Sequence, residues 1–337
     1  MRRLIIFHFL FLSVILFSDL TCEAFEEIPG QRVPLGDVSK DYWVEMALPL
    51  EAPLFLDAST EIVVVASNDS IAASGDGGDS WKRGALAGIN ALIVDAQNQS
   101  RILVLAEKGL FISQDKGASF TEHQTPETFV ALVPHPSLPS HLLAISDTAF
   151  WRSEDNGISW QKIYTPPESP KLSHLVVDLD DTSYVYIIDA GGLRISSDGG
   201  KKWNSKNYFE GDSVTHLKTS DEGLYIGTGG FIRFSAEHGD TSSWLTYAPY
   251  FSEAPELADF LPIDGQTIIY ACFNQEPGEY QTYITKDLNV HWVNASAGLL
   301  GRHGRLKLAR SGGTYYALVA SGESAFLYKF NDTELLP

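Results

Sequence analysis

Cysteine is nearly absent from this sequence. The 337 residues hold two, Cys22 and Cys272. The first falls in a segment that reads as a leader, so the working chain keeps one thiol and no intramolecular disulfide closes. Basic residues are scarce as well: 24 Lys and Arg face 43 Asp and Glu, for a formal net charge of −19. An acidic surface of this kind repels nucleic acid and anionic lipid, which leaves cations, basic proteins and neutral glycans as partners. Metal-ligand spacings are missing: there is no HExxH and no Cys/His cluster, and His135, His174, His216 and His303 are scattered along the chain. No metal site and no cofactor are therefore expected. After the first apolar run, none is long enough to cross a bilayer.

That first run has the layout of a secretory signal. Arg2 and Arg3 precede an apolar stretch from Leu4 to about Phe17, and Cys22 and Ala24 place small residues three before and one before a cut after Ala24. A membrane anchor is the alternative, although the run is short for a span. Residues 1–24 are thus expected to be a signal peptide, 25–40 a lead segment, 41–332 a single domain and 333–337 a tail. The product would be secreted or periplasmic and not integral to a membrane. Removal of residues 1–24 takes two positive charges (Arg2, Arg3) and two negative ones (Asp19, Glu23), so the net charge stays at −19.

What the sequence has in abundance is a repeat. Four copies of Ser-x-Asp-x-Gly-x-x-aromatic are clear: Ser74, Asp76, Gly78 and Trp81; Ser113, Asp115, Gly117 and Phe120; Ser153, Asp155, Gly157 and Trp160; Ser196, Asp198, Gly200 and Trp203. Two weaker copies follow, Ser235, Glu237 and Gly239 with Trp244 displaced, and Thr285, Asp287 and Asn289 with Trp292. Successive copies start 39, 40, 43, 39 and 50 residues apart. Short Ser and Asp side chains accept backbone N–H bonds and hold a tight turn. Gly tolerates positive φ, and the aromatic residue opens the next strand with a large apolar face to bury.

Between copies lie strand-like pieces such as "NALIVDA", "RILVLAE", "GLFISQ" and "SFTEH". Four strands per roughly forty residues make the blade of a β-propeller. Six units end in a box or its remnant. A seventh, "RLKLARSGGTYYALVASGESAFLYKFND", supplies three strands, and "DYWVEMAL" (Asp41–Leu48), with Trp43 where a box aromatic would sit, can supply the fourth beside "AFLYKF". The expectation is an all-β, seven-bladed propeller of four-stranded antiparallel blades, closed by an N-terminal strand; eight blades is the alternative.

The six boxes resemble the Asp-box, or BNR, repeat across most of residues 50–295. That repeat marks sialidases, certain xyloglucan hydrolases, the sortilin luminal domain and a group of secreted seven-bladed proteins that includes photosystem II assembly factors. The resemblance implies that the box is a fold element on the turn between third and fourth strands at the periphery, so it does not report catalysis. The Arg-Ile-Pro motif of sialidases is missing here. Arg152, Arg194 and Arg233 precede boxes on third strands, away from the centre, and Glu279-Tyr280 stands without the rest of a sialidase site.

No catalytic residue is assigned. The propeller face built from inter-blade loops and second-to-third-strand loops carries many acids, and its longest loops, "YAPYFSEAPELAD" and "FNQEPGEYQ", flank the fifth and sixth blades. A mixed apolar and acidic rim of Tyr250, Phe251, Glu253, Glu256, Glu276, Glu279 and Tyr280 is expected to bind a protein, basic or glycosylated. The alternative is a glycan-binding protein or a glycoside hydrolase with paired carboxylates at the channel mouth and a tyrosine platform of Tyr247, Tyr250 or Tyr280. Asp178, Asp180 and Asp181 in "VVDLDDTS" hint at calcium but fit a plain turn equally well. The basic run Arg302–Lys307 is the one local exception to the acidity.

Overall fold

The computed structural model describes residues 41–167, 171–189, 192–206, 214–240, 244–249, 255–275, 278–287, 291–299, 304–321, 324–332 and 335–336. The proposed signal peptide and lead segment, residues 1–40, and most of the tail lie outside them.

All regular structure among these residues is β-strand, and it sorts into seven four-stranded antiparallel sheets. The closing strand comes first, β1 (Trp43–Met46). Blade 1 follows with β2 (Phe55–Ser59), β3 (Ile62–Ala66), β4 (Ser70–Ser74) and β5 (Lys82–Ala85). Blade 2 holds β6 (Ile89–Val94), β7 (Ile102–Ala106), β8 (Gly109–Ser113) and β9 (Thr121–His123), and blade 3 holds β10 (Phe129–Pro134), β11 (Leu142–Ser146), β12 (Phe150–Ser153) and β13 (Gln161–Tyr164). Blade 4 is β14 (His174–Val177), β15 (Val185–Asp189), β16 (Gly192–Ser196) and β17 (Asn204–Lys206); blade 5 is β18 (Val214–Ser220), β19 (Gly223–Thr228), β20 (Phe231–Ser235) and β21 (Leu245–Tyr247). Blade 6 takes β22 (Glu256–Pro262), β23 (Ile268–Asn274), β24 (Glu279–Thr285) and β25 (Val293–Asn294), and blade 7 takes β26 (Arg305–Ser311), β27 (Thr314–Ser321) and β28 (Ser324–Phe330).

In blades 1 to 6 the strands pair in chain order, and in blades 1 to 5 the second strand is buried end to end, as in "IVVVA", "ILVLA" and "LLAIS". Strands covered on both faces read as continuous apolar runs and not as alternation. First strands of neighbouring blades touch around the ring, β26 with β2, β2 with β6, β6 with β10, β10 with β14, β14 with β18, and β22 with β26. The β18–β22 step is made by side chains, Lys218 Nζ to Asp259 Oδ1 at 2.7 Å and His216 Nε2 to the Ala258 carbonyl at 3.0 Å. These first strands form the inner wall of the propeller.

Blade 7 closes as the sequence predicts. Strand β1 pairs antiparallel with β28, Trp43 opposite Phe330 and Met46 opposite Leu327. The Trp43 ring is 1% exposed, sits edge-on to Phe330 at 5.0 Å, and donates its indole N–H to Thr282 Oγ1 of blade 6 at 3.0 Å. The seam is therefore tied within its own blade and across to the previous one.

The repeated turn has one geometry. In the first copy, Ser74 Oγ donates to Asp76 Oδ1 at 2.8 Å and accepts the Gly78 amide at 2.7 Å, while Asp76 also accepts both the amide and the hydroxyl of Ser80. Trp81 closes the turn by donating its indole N–H to the Gly78 carbonyl at 3.0 Å. Copies at Ser113 and Ser153 repeat the Ser–Asp–Ser network, with Ser119 and Ser159 in the place of Ser80. Two successive residues take positive φ: Gly77 and Gly78, Lys116 and Gly117, Asn156 and Gly157, Gly199 and Gly200, His238 and Gly239. At the second of these a side chain would also strike the preceding blade. A Cβ on Gly200 would lie 2.2 Å from the Phe150 ring, and one on Gly78 would lie 2.2 Å from Met46 of the closing strand.

The first of the two is where non-glycine residues endure left-handed backbone, a cost of order 1 kcal/mol. Their side chains reach the preceding blade in return. Lys116 pairs with Glu61 at 2.7 Å. Asn156 accepts from Arg101 at 2.9 Å, and Arg101 is itself buried against Asp95. His238 stacks on Tyr184 at 4.0 Å and meets Asp178 at 3.0 Å. The turn thus builds its own blade and latches it to the one before.

Replacing Trp43 with Ala removes a buried ring that holds both sides of the seam, and should cost about 3–5 kcal/mol; an unchanged denaturation midpoint in urea would contradict this role. A second expectation concerns acid. The Ser80, Ser119 and Ser159 hydroxyls and amides hold Asp76, Asp115 and Asp155 at about 2, below the ordinary 3.8. Carboxylates whose folded pKa is depressed contribute stability above their unfolded pKa and lose it as pH falls toward the folded one. Thermal stability should therefore drop from about pH 4 to pH 2, and Asp155→Asn should flatten part of that drop; a variant with the wild-type acid profile would rule the network out as its source.

Candidate functional site

Two regions gather polar side chains away from the turns: the face built from loops between blades and between second and third strands, and the inner wall of the channel.

On the loop face, the expected rim is only partly described. Tyr250, Phe251, Glu253 and Glu276 lie outside the described residues. Glu256 opens β22 and is exposed; Glu279 opens β24 and is half-buried. They flank one corner of blade 6, where Glu256 pairs with Phe273 and Glu279 with Asn274. Tyr280 is not a surface platform. It is 3% exposed, stands edge-on to Phe273 at 5.2 Å and donates its hydroxyl to the Gly304 carbonyl, and burial pushes its phenol up to about 12. A strand alternates its faces, so Tyr280, two residues before the buried Thr282, points inward with it. Tyr247, another platform candidate, is buried at 3%.

The same face has two grooves further round. One, of about 620 Å³, is lined by Leu48, Leu50, Glu51, Asn68, Asp69 and Arg83 among others, where the closing strand passes into blade 1. The other, of about 250 Å³, lies between blades 2 and 3 beside Leu105, Glu107, Lys108, Glu127 and Phe129. Glu51 and Glu107 are exposed, whereas Asp69 is capped by the Ser67 and Ser70 hydroxyls and Glu127 pairs with Lys162 at 2.9 Å.

The channel wall carries polar residues within apolar strands: Asp57 on β2, His174 on β14, His216 and Lys218 on β18, Asp259 on β22 and Lys307 on β26. The two carboxylates belong to the backbone. Asp57 accepts the amides of Ala58 at 2.9 Å and of Val94, on the next blade, at 2.7 Å. Asp259 accepts Phe260 N at 2.9 Å, Leu308 N of the next blade at 2.9 Å, and Lys218 Nζ. Burial pushes Asp57 up to about 6 in spite of its two amide donors. For Asp259 burial also works upward, but Lys218 and Lys307 prevail and hold it at about 2. Burial, with Lys218 and Lys307 nearby, drives His216 down to about 4; His174 is lowered by burial and by Lys307. Sequence reasoning treated His174 and His216 as scattered and passed over Asp57, Lys218 and Asp259. The signal was there in "FLDAS", "THLKTS", "ELADFL" and "RLKLA", where charge interrupts an inner strand.

The remaining candidates have structural places. Asp178 is buried, accepts the Asp180 and Asp181 amides and the Tyr186 hydroxyl, and faces His238, which is a turn combined with an inter-blade latch. Arg194 pairs with Asp189, Arg152 with Glu154 at 2.9 Å, and Arg233 donates to Thr228 at 3.1 Å, each from a third strand. Cys272 is fully buried, which pushes its thiol up to about 12. Among the described residues no group of three or more His, Cys, Asp or Glu is placed to hold a metal ion.

No protein-family model matches the chain. Over 124 residues it is 27% identical to a probable oligoxyloglucan-reducing end-specific xyloglucanase of Neosartorya fischeri, a match that takes in 32% of this chain and 15% of the relative. Among solved structures, the GH74 xyloglucanase of Xanthomonas campestris superposes with a TM-score of 0.64 at 16% identity, over 85% of this chain and 53% of that one. YCF48 from Cyanidioschyzon merolae superposes with a TM-score of 0.62 at 14% identity, over 86% of this chain and 99% of that one. The chain spans about half the length of the xyloglucanase structure and nearly the whole of YCF48. At these identities the likeness shows the seven-bladed fold alone.

Asp259→Ala should leave Lys218 and the Leu308 amide without their partner and cost about 3–5 kcal/mol, whereas Asp259→Leu with Lys218→Met should recover much of that loss. If urea melts show the single variant to be as stable as wild type, the carboxylate is not holding blades 5, 6 and 7 together.

Proposed function

We propose that this protein is an exported, non-catalytic propeller of the Asp-box type that binds a protein partner through its loop face. The observation that carries this reading is the fate of the inner carboxylates. A glycosidase needs two acids free to protonate a leaving group and to attack or activate water. Asp57 and Asp259 instead spend their oxygens on backbone amides of their own and the following blade. The exposed acids Glu51, Glu107 and Glu256 stand on the loop face, two of them beside grooves. An acidic rim suits a basic or glycosylated partner, and charge of one sign speeds its encounter. The Ser–Asp–Ser networks of the repeated turns support the Asp-box assignment. A second reading, glycan binding or cleavage, has the matched stretch of the Neosartorya xyloglucanase in its favour.

The two readings separate in one set of measurements. The immobilised protein should capture a defined protein partner from the native envelope fraction, with capture falling steeply as salt rises, and the triple variant Glu51→Lys, Glu107→Lys, Glu256→Lys should lose it about tenfold or more. Release of reducing ends from xyloglucan oligosaccharides by the wild type would instead establish the second reading and defeat the first.

A further inference from the structure

Four Asn-x-Ser/Thr triplets, the acceptor pattern for an N-linked glycan, begin at Asn68, Asn98, Asn294 and Asn331. The fold treats them differently. Asn98 is half-buried on the turn between β6 and β7, and its Oδ1 accepts the Ser100 amide at 3.3 Å. Asn294 is half-buried on β25, and its Oδ1 accepts the amide of the buried Ser296 at 3.0 Å. Asn331 donates its backbone N–H to the Tyr42 carbonyl at 2.8 Å, beside the closing strand, and Thr333 of its triplet lies outside the described residues.

Asn68 stands apart. With Asp69 it forms the tip of the hairpin joining β3 to β4, on the loop face, and the Ser67 amide donates to the Ser70 carbonyl across that tip at 2.8 Å. The backbone there is pinned from outside. The Asn68 carbonyl accepts the amides of Gly88 at 2.7 Å and Ile89 at 3.2 Å, and the Asp69 carbonyl accepts the Leu86 amide at 2.9 Å. The Ser67 and Ser70 hydroxyls turn to the Asp69 carboxylate. The Asn68 side chain is left exposed, with no hydrogen bond to the described residues, at the edge of the 620 Å³ groove that it lines with Leu48, Leu50 and Arg83. A rigid tip that holds a free amide beside open space can carry a bulky, hydrated chain without displacing a packed group.

We propose that Asn68 is an N-glycosylation site. The donor is an oligosaccharide linked to a lipid pyrophosphate, and the catalyst is a transferase of the secretory pathway, so the modification rests on the export proposed above. The Asn68 amide nitrogen bonds to the anomeric carbon of the first sugar. The bond from that carbon to the pyrophosphate oxygen breaks, the amide gives up one proton, and the lipid pyrophosphate leaves. Transfer to the emerging chain precedes folding, so the folded structure decides whether the product can be carried. At Asn68 it can, since the Asp69 and Ser70 side chains bond to each other and to Ser67 and make no demand on the acceptor amide.

The test takes the protein purified from its native source and treats it with peptide N-glycosidase, which leaves Asp wherever a glycan was attached. Electrophoretic mobility should rise after treatment, and mass spectrometry of the peptides should find the conversion at position 68. Expressed in the same source, Asn68→Gln should lose that glycan, whereas Ser70→Thr, which keeps the triplet, should retain it. Asn68→Gln removes no contact and should melt as the deglycosylated wild type does, which separates loss of the acceptor from loss of the fold. An unmodified Asn68 in the native protein would overturn the proposal. Sequencing the amino terminus of that protein then tells which reading failed: a leader removed after Ala24 leaves export standing and the glycosylation site refuted, and an intact leader defeats both. Capture of a partner by the loop face is read independently of either result.

Discussion

The structure depends on one short stretch of backbone: two consecutive left-handed residues at the turn between third and fourth strands. An L-amino acid avoids that conformation, and a pair in succession needs outside support. Here the support is the Ser hydroxyl that accepts the amide of the second residue and the Asp carboxylate that gathers the amide two residues on. The reversal lets the aromatic residue fold back over the turn. It also presents a bare Gly face to the previous blade, so that Ala73 approaches Gly117 and Phe150 approaches Gly200 without a Cβ between them. Curling one turn and seating one sheet on another are thus a single act, repeated at each junction where the box survives.

Much of this was legible in the sequence because the repeat is chemical as well as periodic. Ser, Asp, Gly and Trp each have a reason to be where they are, and the leftover "DYWVEMAL" could be matched to a blade short of one strand. Other parts were hidden for identifiable reasons. Lys116, Asn156 and His238 occupy the first left-handed position, and no single residue type shared by the copies announces it, although Asn and His tolerate positive φ better than Lys does. What selects them is a partner on the neighbouring blade, Glu61, Arg101 or Asp178, some 55 to 60 residues away in sequence. Ser80, Ser119 and Ser159 were read as unspecified positions although their hydroxyls bind the box aspartates. Tyr280 looked like a rim aromatic because it follows a loop; only the pairing of β24 shows that it faces the core.

The channel illustrates a related limit. A polar residue within an apolar first strand could face solvent, cap a neighbouring edge or meet a ligand, and the strand pattern alone does not choose. Asp57 and Asp259 cap edges: the innermost strand of each blade has a free row of amides, and a carboxylate that reaches across satisfies one on the next blade. The histidines and lysines then distribute themselves around those fixed negative charges. Blades 1 and 4 to 7 carry this polar set, while the first strands of blades 2 and 3, "INALIV" and "FVALVP", are mostly apolar, so the wheel is chemically lopsided in spite of its even geometry.

The seam at blade 7 has a consequence for how the molecule forms. Strand β1 finds its partner β28 nearly the full length of the domain away, so the last sheet cannot be completed until the rest of the polypeptide has emerged. Contacts of such long sequence separation make for slow assembly. Until then, six blades would stand as an open arc with two unsatisfied edges. Zipping Trp43 under Phe330 turns that arc into a ring in one late event, and its reversal is the natural first breach when the protein is heated or pulled by its amino end.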